Sequence, residues 1–362
     1  MSLNLNVAAK ATNSYSSSRL GSYVFGLLLI GALLLSLAVF YLLRPAEEDW
    51  QLNLVAVAIV GVIFYVILQY ALSHFVEGRR RAIDRTAHVL ITLAFLIALT
   101  PLVSLLITVV TNGAPRFDLD FFTLSMRNVV GEGGGAAHAV LGTVIMALAA
   151  SVISVPIGLL TSIYLVEYGQ GRRLSQWITF FVDVMTGIPS IVAGLFAYAL
   201  FEIILGPGTR MGLSGSAALS VLMIPIVVRS SEEMLRLVPN ELREAAFALG
   251  VPKWLTILKV VLPTAIAGIT TGVMLAIARV MGETAPLLIA AGFSNDFNFD
   301  IFHDRMQSLP NFVYYSYVSQ GSVPEAYLAR AWAGALTLIL IVMVLNLGAR
   351  LIARTFAPKI GR

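Results

Sequence analysis

Long apolar runs alternate with short polar segments along nearly the whole chain. They fall at Leu20–Leu43, Leu52–Phe75, Ala87–Thr111, Ala137–Val166, Trp177–Leu205, Leu213–Val228, Pro263–Ala291 and Ala331–Ile352. Most reach the ~20 residues that a helix needs to cross a hydrocarbon layer. The pattern predicts an all-α integral membrane protein with about eight spanning helices. The stretch before the first run, to Arg19, is polar and serine-rich. That first run is too long for a signal-peptide core and is followed by no small-residue cleavage site, so a retained helix is expected.

Composition agrees: 58% of the 362 residues are hydrophobic and only 12% charged, against about a quarter charged in soluble domains. A pI near 9.4 points to nucleic acid only until the basic residues are placed. With both termini on the cytoplasmic side, seventeen Lys and Arg fall inside and six outside, with every lysine inside. That is the charge asymmetry of a membrane topology. There are no cysteines, which excludes disulfides and thiolate chemistry. His74, His88, His138 and His303 are scattered, with no metal-ligand spacing. Gly133, Gly134 and Gly135 are followed by Ala-Ala-His, not by a phosphate-reading lysine, so any ATP must be bound by another chain.

The segment from Arg229 to Leu288 joins a charged half to an apolar half. In the charged half, Ser230 or Ser231 is positioned to cap a helix whose first turn holds Glu232 and Glu233. Pro239 ends it, and Asn240 is expected to cap a second helix through Leu249, with Gly250 at C′. On that helix Leu242, Ala245, Ala246 and Leu249 fall at i, i+3, i+4 and i+7, one apolar stripe. The order Glu244-Ala245-Ala246, then Gly250, then nine residues and Val260-x-Leu262-Pro263 resembles the EAA loop of bacterial ABC importer permeases. The single departure is Val260 in place of isoleucine. The resemblance implies that Glu244, Ala245, Ala246 and Gly250, flanked by Leu242 and Leu249, dock on an ATP-binding subunit and pass its movement to the membrane helices.

Arg279 lies sixteen residues beyond Pro263, ~24 Å along a helix, too deep for easy snorkelling. A charge at that depth costs at least ~2.5–3.5 kcal/mol unless it is paired or faces water. Glu283, at i+4, is expected to share its face and to be able to pair with it. A guanidinium fork matches a tetrahedral oxyanion. A carboxylate beside it repels anions in general, but accepts from an anion carrying its own O–H. Phosphate at neutral pH has such a group and sulfate has none, so the pair favours phosphate.

Gly187-Ile-Pro-Ser190-Ile-Val, Ile224-Pro-Ile-Val-Val-Arg229, Leu237-Val-Pro-Asn-Glu-Leu-Arg-Glu-Ala-Ala246, Ala278-Arg279-Val-Met-Gly282-Glu283-Thr284-Ala-Pro286 and Met306-Gln-Ser-Leu-Pro310 together resemble the PstA family, membrane permeases of phosphate-specific ABC importers. The resemblance runs from about Ala87 to Arg354. It implies a type I importer (MetI-like) core over residues 87–362, with the coupling loop at 229–263. Residues 1–86 would be a tail and two extra helices. It also implies an inner-membrane subunit without catalysis or cofactor of its own, ATP and Mg being bound by a partner ATPase. The partners implied are a second, PstC-like permease, a PstB-like ATPase dimer, a PstS-like extracytoplasmic phosphate-binding protein and a PhoU-like regulator. The substrate path it implies includes Arg279 and Glu283; Thr284 and the kink residue Ser190 are further candidates. Asp183 is expected to pair with Arg172 or Arg173.

Two alternatives stay open: an ABC permease for sulfate or molybdate, and a transporter or signalling protein that works without an ATPase. Glu283→Gln is expected to erode the preference for phosphate over sulfate about tenfold, the worth of one hydrogen bond to a charged group. Competition uptake measures this, and an unchanged ratio removes the role given to the carboxylate.

Overall fold

Backbone N–H and C=O groups find no partner in hydrocarbon, so spanning segments must close their hydrogen bonds internally. The computed structural model is helical throughout, with no strand among the described residues, 20–43 and 53–356. The polar stretch to Arg19 and residues 44–52 lie outside them. Among the described residues seven helices are long and apolar enough to cross a membrane, or eight spans if one bent pair counts as a span. The chain forms two compact units, Met1–Leu105 and Leu106–Arg362, divided within helix α3 (Arg79–Gly113).

In the first unit, α1 (Ser22–Leu42) and α2 (Leu54–Glu77) form an antiparallel hairpin. Gly61 lets α2 approach Leu33, and Ser36 Oγ donates to the Val57 carbonyl at 2.7 Å. Buried Glu77 closes one end. It accepts from the Leu20 N–H at 2.9 Å, Ser73 Oγ at 2.8 Å and Arg85 at 2.7 Å.

In the second unit a short α4 (Leu119–Thr123) precedes α5 (Ala137–Ile163), which continues as a π turn, Tyr164–Tyr168. Next come α6 (Arg173–Thr186), α7 (Ser190–Leu205), α8 (Gly212–Arg236) and α9 (Asn240–Ala248). A single turn, α10 (Lys253–Thr256), passes through a π turn at Ile257–Val261 into α11 (Leu262–Met281). Then follow α12 (Ala285–Ala290), α13 (Leu309–Val318) and α14 (Pro324–Phe356).

The core is built on α8. Small residues let its neighbours come close, the usual route to helix packing where burial alone gives no driving force. A Cβ at Gly158 of α5 would lie 2.6 Å from Val227 Cγ1, and one at Gly272 of α11 would lie 2.5 Å from Ser230 Cβ. Met146, Leu219, Met223, Val227, Ala276 and Val280 fill the seam between these three helices.

Three runs depart from their expected form. Trp177–Leu205 is a corner: α6 and α7 meet at 107° across Gly187-Ile188-Pro189. Pro263–Ala291 is interrupted after Met281, because Pro286 has no N–H and its ring opposes the carbonyl four residues back. Leu213–Val228 extends to Arg236, since Glu-Glu-Met-Leu-Arg favours helix. Ser230 and Ser231 therefore lie inside α8 and cap nothing.

The contact between α7 and α12 gives a direct test of the packing. A Cβ at Gly194 would stand 2.6 Å from Pro286 Cα. Gly194→Val is expected to lower stability by about 1–3 kcal/mol through overpacking, read as earlier thermal unfolding in detergent, whereas Gly348→Val, in α14 with open space around it, should lose less.

Candidate functional site

Gly272 facing Ser230 and Gly215 facing Leu287 set α11 and α12 antiparallel to α8. That register places Arg279 opposite Met223, halfway along α8. Arg279 occupies the last turn of α11, where a cation complements the negative helix end. Its side chain is exposed on the chain's own surface. It makes no hydrogen bond or ion pair within the chain among the described residues.

Glu283 is half-buried and does not pair with Arg279. The expected i,i+4 relation fails because α11 ends at Met281 and Glu283 lies in the break. There its N–H donates to the Val280 carbonyl at 3.2 Å. Thr284 precedes α12 without a side-chain capping bond.

The break is secured by Asn311, which is fully buried. With its amide oriented to satisfy both neighbours, it donates to the Thr284 carbonyl and accepts from the Leu288 N–H, each at 3.0 Å. Sequence reasoning did not single out Asn311. Its only signal was its place one residue after the Met306–Pro310 stretch.

Ser190 opens α7 directly after Pro189. Gly194 meets Pro286, and Ala197 and Ala290 share a buried cluster with Ala218, so α7 and α12 run side by side in the same direction. The two breaks, 187–189 and 282–284, thus lie at one level. Ser190, Glu283 and Thr284 come to that level together, with Arg279 one turn before it. Two clefts adjoin the break. One, about 580 Å³, is lined by Thr284, Leu288, Pro310, Tyr314, Tyr317 and Trp332; the other, about 770 Å³, holds Gly282 and residues of α14. Both are mostly apolar and neither is lined by Arg279; the second reaches Arg350 of α14.

At the charged end, α9 carries the Glu-Ala-Ala sequence. Asn240 is its first residue and caps nothing; Pro239 precedes it. Gly250 does terminate it, with φ +73°. The Gly250 N–H donates to Phe247 and the Val251 N–H to Ala246, at 2.9 and 3.1 Å, a Schellman closure. The apolar stripe divides: Ala246 is buried against the chain, while Leu242, Ala245 and Leu249 are exposed, with Leu249 83% exposed. Glu244 is also exposed.

What holds α9 in place was not legible beforehand. Arg243 turns inward, donating from Nε and Nη2 to Glu167 Oε1 at 3.0 and 2.8 Å, and to the Val238 and Leu235 carbonyls at 2.7 and 3.0 Å. The π turn brings Glu167 there, and its carbonyl accepts from Lys253. Asp183 pairs not with Arg172 or Arg173 but with Arg229, which also meets Glu232. Glu232 in turn meets Arg236 at 2.7 Å. Among the described residues no cluster of His, Asp or Glu is placed to hold a metal ion.

A helical core with close small-residue seams, two helix breaks at one level and an outward-facing interfacial helix is the architecture of a transport permease. Residues 154–362 match the model of the binding-protein-dependent transport system inner membrane component, and the chain belongs to that family, as a multi-pass inner-membrane protein of the importer-permease type. Its curated relatives include the phosphate transport system permease protein PstA 1 of Mycobacterium tuberculosis (strain CDC 1551 / Oshkosh), 47% identical over 278 residues, 76% of this chain and 90% of that one. The PstA of Mycobacterium leprae is 48% identical over 278 residues, covering 75% and 89%. That of Xylella fastidiosa (strain Temecula1 / ATCC 700964) is 41% identical over 288 residues, covering 79% and 98%.

Arg243→Ala leaves the buried Glu167 carboxylate uncompensated, a loss of about 3–5 kcal/mol in comparable pairs. Hydrogen exchange of the α9 amides is expected to quicken by at least about a hundredfold, with α7 unaffected. Equal protection in variant and wild type would show that α9 is held by other contacts.

Proposed function

We infer that this chain is one membrane half of an ATP-driven importer that carries inorganic phosphate across the cytoplasmic membrane into the cell. The observation that carries this reading is Arg279, a cation exposed on the chain's surface level with the middle of α8, with no counterion among the described residues. Such a charge is tolerable in a bilayer only where it faces water or an anion. The names of the relatives, phosphate transport system permeases, supply the anion.

The substrate path on this reading consists of Arg279, Glu283, Thr284 and Ser190. The guanidinium takes the phosphate oxygens and Glu283 accepts from a P–OH. Residues 87–362 act as the permease unit, with both termini cytoplasmic, as the distribution of basic residues favours. The ATPase docks on Leu242, Glu244, Ala245 and Leu249, with Gly250 fixing the end of α9 and Ala246 seating it. That subunit, a PstB-like dimer, binds ATP and Mg and performs the hydrolysis; this chain has no cofactor. A PstC-like permease covers the open face of Arg279, a PstS-like protein delivers phosphate from outside, and a PhoU-like regulator acts on the assembly. ATP-driven closure shifts the balance between conformations open to either side.

Arg279→Ala is expected to lower labelled-phosphate uptake by membrane vesicles at least tenfold, with sulfate as a poor competitor in the wild type. Full uptake by the variant would sink the assignment of this residue. Glu244→Arg and Gly250→Pro should each lose the co-purifying ATPase while keeping the chain in the membrane.

A further inference from the structure

One face of α14 carries Leu338, Val342, Asn346 and Arg350 at i+4 steps, with Met343 and Leu347 in the row beside them. All six line the cleft of about 770 Å³ that Gly282 adjoins. Met343 and Leu347 are more than half exposed, so the chain's own packing does not fill this face. The two polar side chains, Asn346 and Arg350, stand one turn apart at one end of it. No carboxylate lines the cleft.

Neither polar side chain is satisfied by the protein. Arg350 is exposed and Asn346 half-buried, and neither makes a side-chain hydrogen bond or ion pair with the described residues. Arg85, Arg229, Arg236 and Arg243, by contrast, each meet a carboxylate. A free arginine near the end of a spanning helix is tolerated because its long side chain reaches the headgroup layer. A carboxamide is too short to do the same. Asn346 lies about 9 Å before the end of the span at Ile352, where water is scarce and its donors and acceptor need another partner.

The length of the face narrows what that partner is. From Leu338 to Arg350 it runs ~18 Å, close to the ~15 Å of hydrocarbon in one leaflet. A diacyl phospholipid presents the matching order along its own length: a phosphate, then ester carbonyls, then acyl chains.

We propose that this face of α14 is a binding site for a phospholipid of net negative charge, in the leaflet where α14 ends. The Arg350 fork takes two oxygens of the headgroup phosphate. Asn346 donates to an ester carbonyl, and an acyl chain lies along Met343, Val342 and Leu338. A guanidinium with no carboxylate in the cleft favours a lipid whose phosphate is not offset by an amine. Nothing in this site depends on which solute the chain carries, so it stands or falls apart from the transport reading.

The test reconstitutes the full-length chain, with the subunits that co-purify, in vesicles of equal parts phosphatidylglycerol and phosphatidylcholine. The protein is then extracted in detergent and its retained lipid read by native mass spectrometry. The wild type is expected to retain phosphatidylglycerol over phosphatidylcholine by about fivefold or more. Arg350→Gln should bring the ratio close to one. Arg173→Gln, an exposed arginine at the start of α6 that lines no part of the cleft, should leave it unchanged. Val342→Trp keeps the guanidinium but fills the groove, and should also abolish the preference. Excess inorganic phosphate, which has no chain to lay along the helix, should displace none of the lipid. Equal retention of the two lipids by the wild type overturns the site, as does a preference that survives Arg350→Gln or Val342→Trp. Displacement by inorganic phosphate overturns it in favour of a free anion. A wild type that retains neither lipid and cross-links from Leu347 to another subunit overturns it in favour of a protein contact.

Discussion

A helix that stops inside a membrane leaves backbone groups that hydrocarbon cannot satisfy, and this constraint governs how the second unit is assembled. The chain stops twice, before Ser190 and after Met281, and each stop must be answered by another part of the protein. At the break after α11 the Gly282 and Glu283 N–H groups turn back to the Arg279 and Val280 carbonyls, and Asn311, from α13, sets its amide against the Thr284 carbonyl and Leu288 N–H of the first turn of α12. Gly194 allows α7 to rest against Pro286, so one interruption supports the other. The elements between α12 and α14 therefore belong to the site, although they add no charge to it.

The same economy holds at the charged end. An exposed interfacial helix of nine residues is too short to be stable alone. Here α9 is fixed by one inward arginine, a glycine closure and a glutamate delivered by a π turn. The side chains left outward, Leu242, Ala245 and Leu249, are thus presented on a rigid support.

Much of this was readable from the residues. Run length located the helices, and their number to within the one bent pair, because it follows from the bilayer and not from packing. Gly250 was assigned correctly because a positive φ after a helix is a local requirement. Errors came where the deciding partner is distant or lies just past the window. Glu283 was placed on the face of Arg279 because the helical period was carried through a break that Pro286, three residues on, imposes. Ser230 and Ser231 were read as caps because polar residues suggested an end, though nothing there breaks the helix. Asp183 was given the nearer arginines in sequence, whereas Arg229, 46 positions away, is nearer in space. Arg243 and Glu167, 76 positions apart, had no periodic signature at all.

The seams around α8 bear on how such a molecule can move. Gly158 packs directly on the Val227 side chain and Gly272 on that of Ser230, with no room for a further side chain between, and Arg243 ties α9 to the end of α5 and to the carbonyl of Leu235 in α8. A push delivered at α9 is then not absorbed by side chains rearranging between it and the centre. The trio α5, α8 and α11 would swing as a single lever. Compliance would be left to the 107° corner and to the interruption beyond Met281, at the level where an ion would be passed from one face to the other.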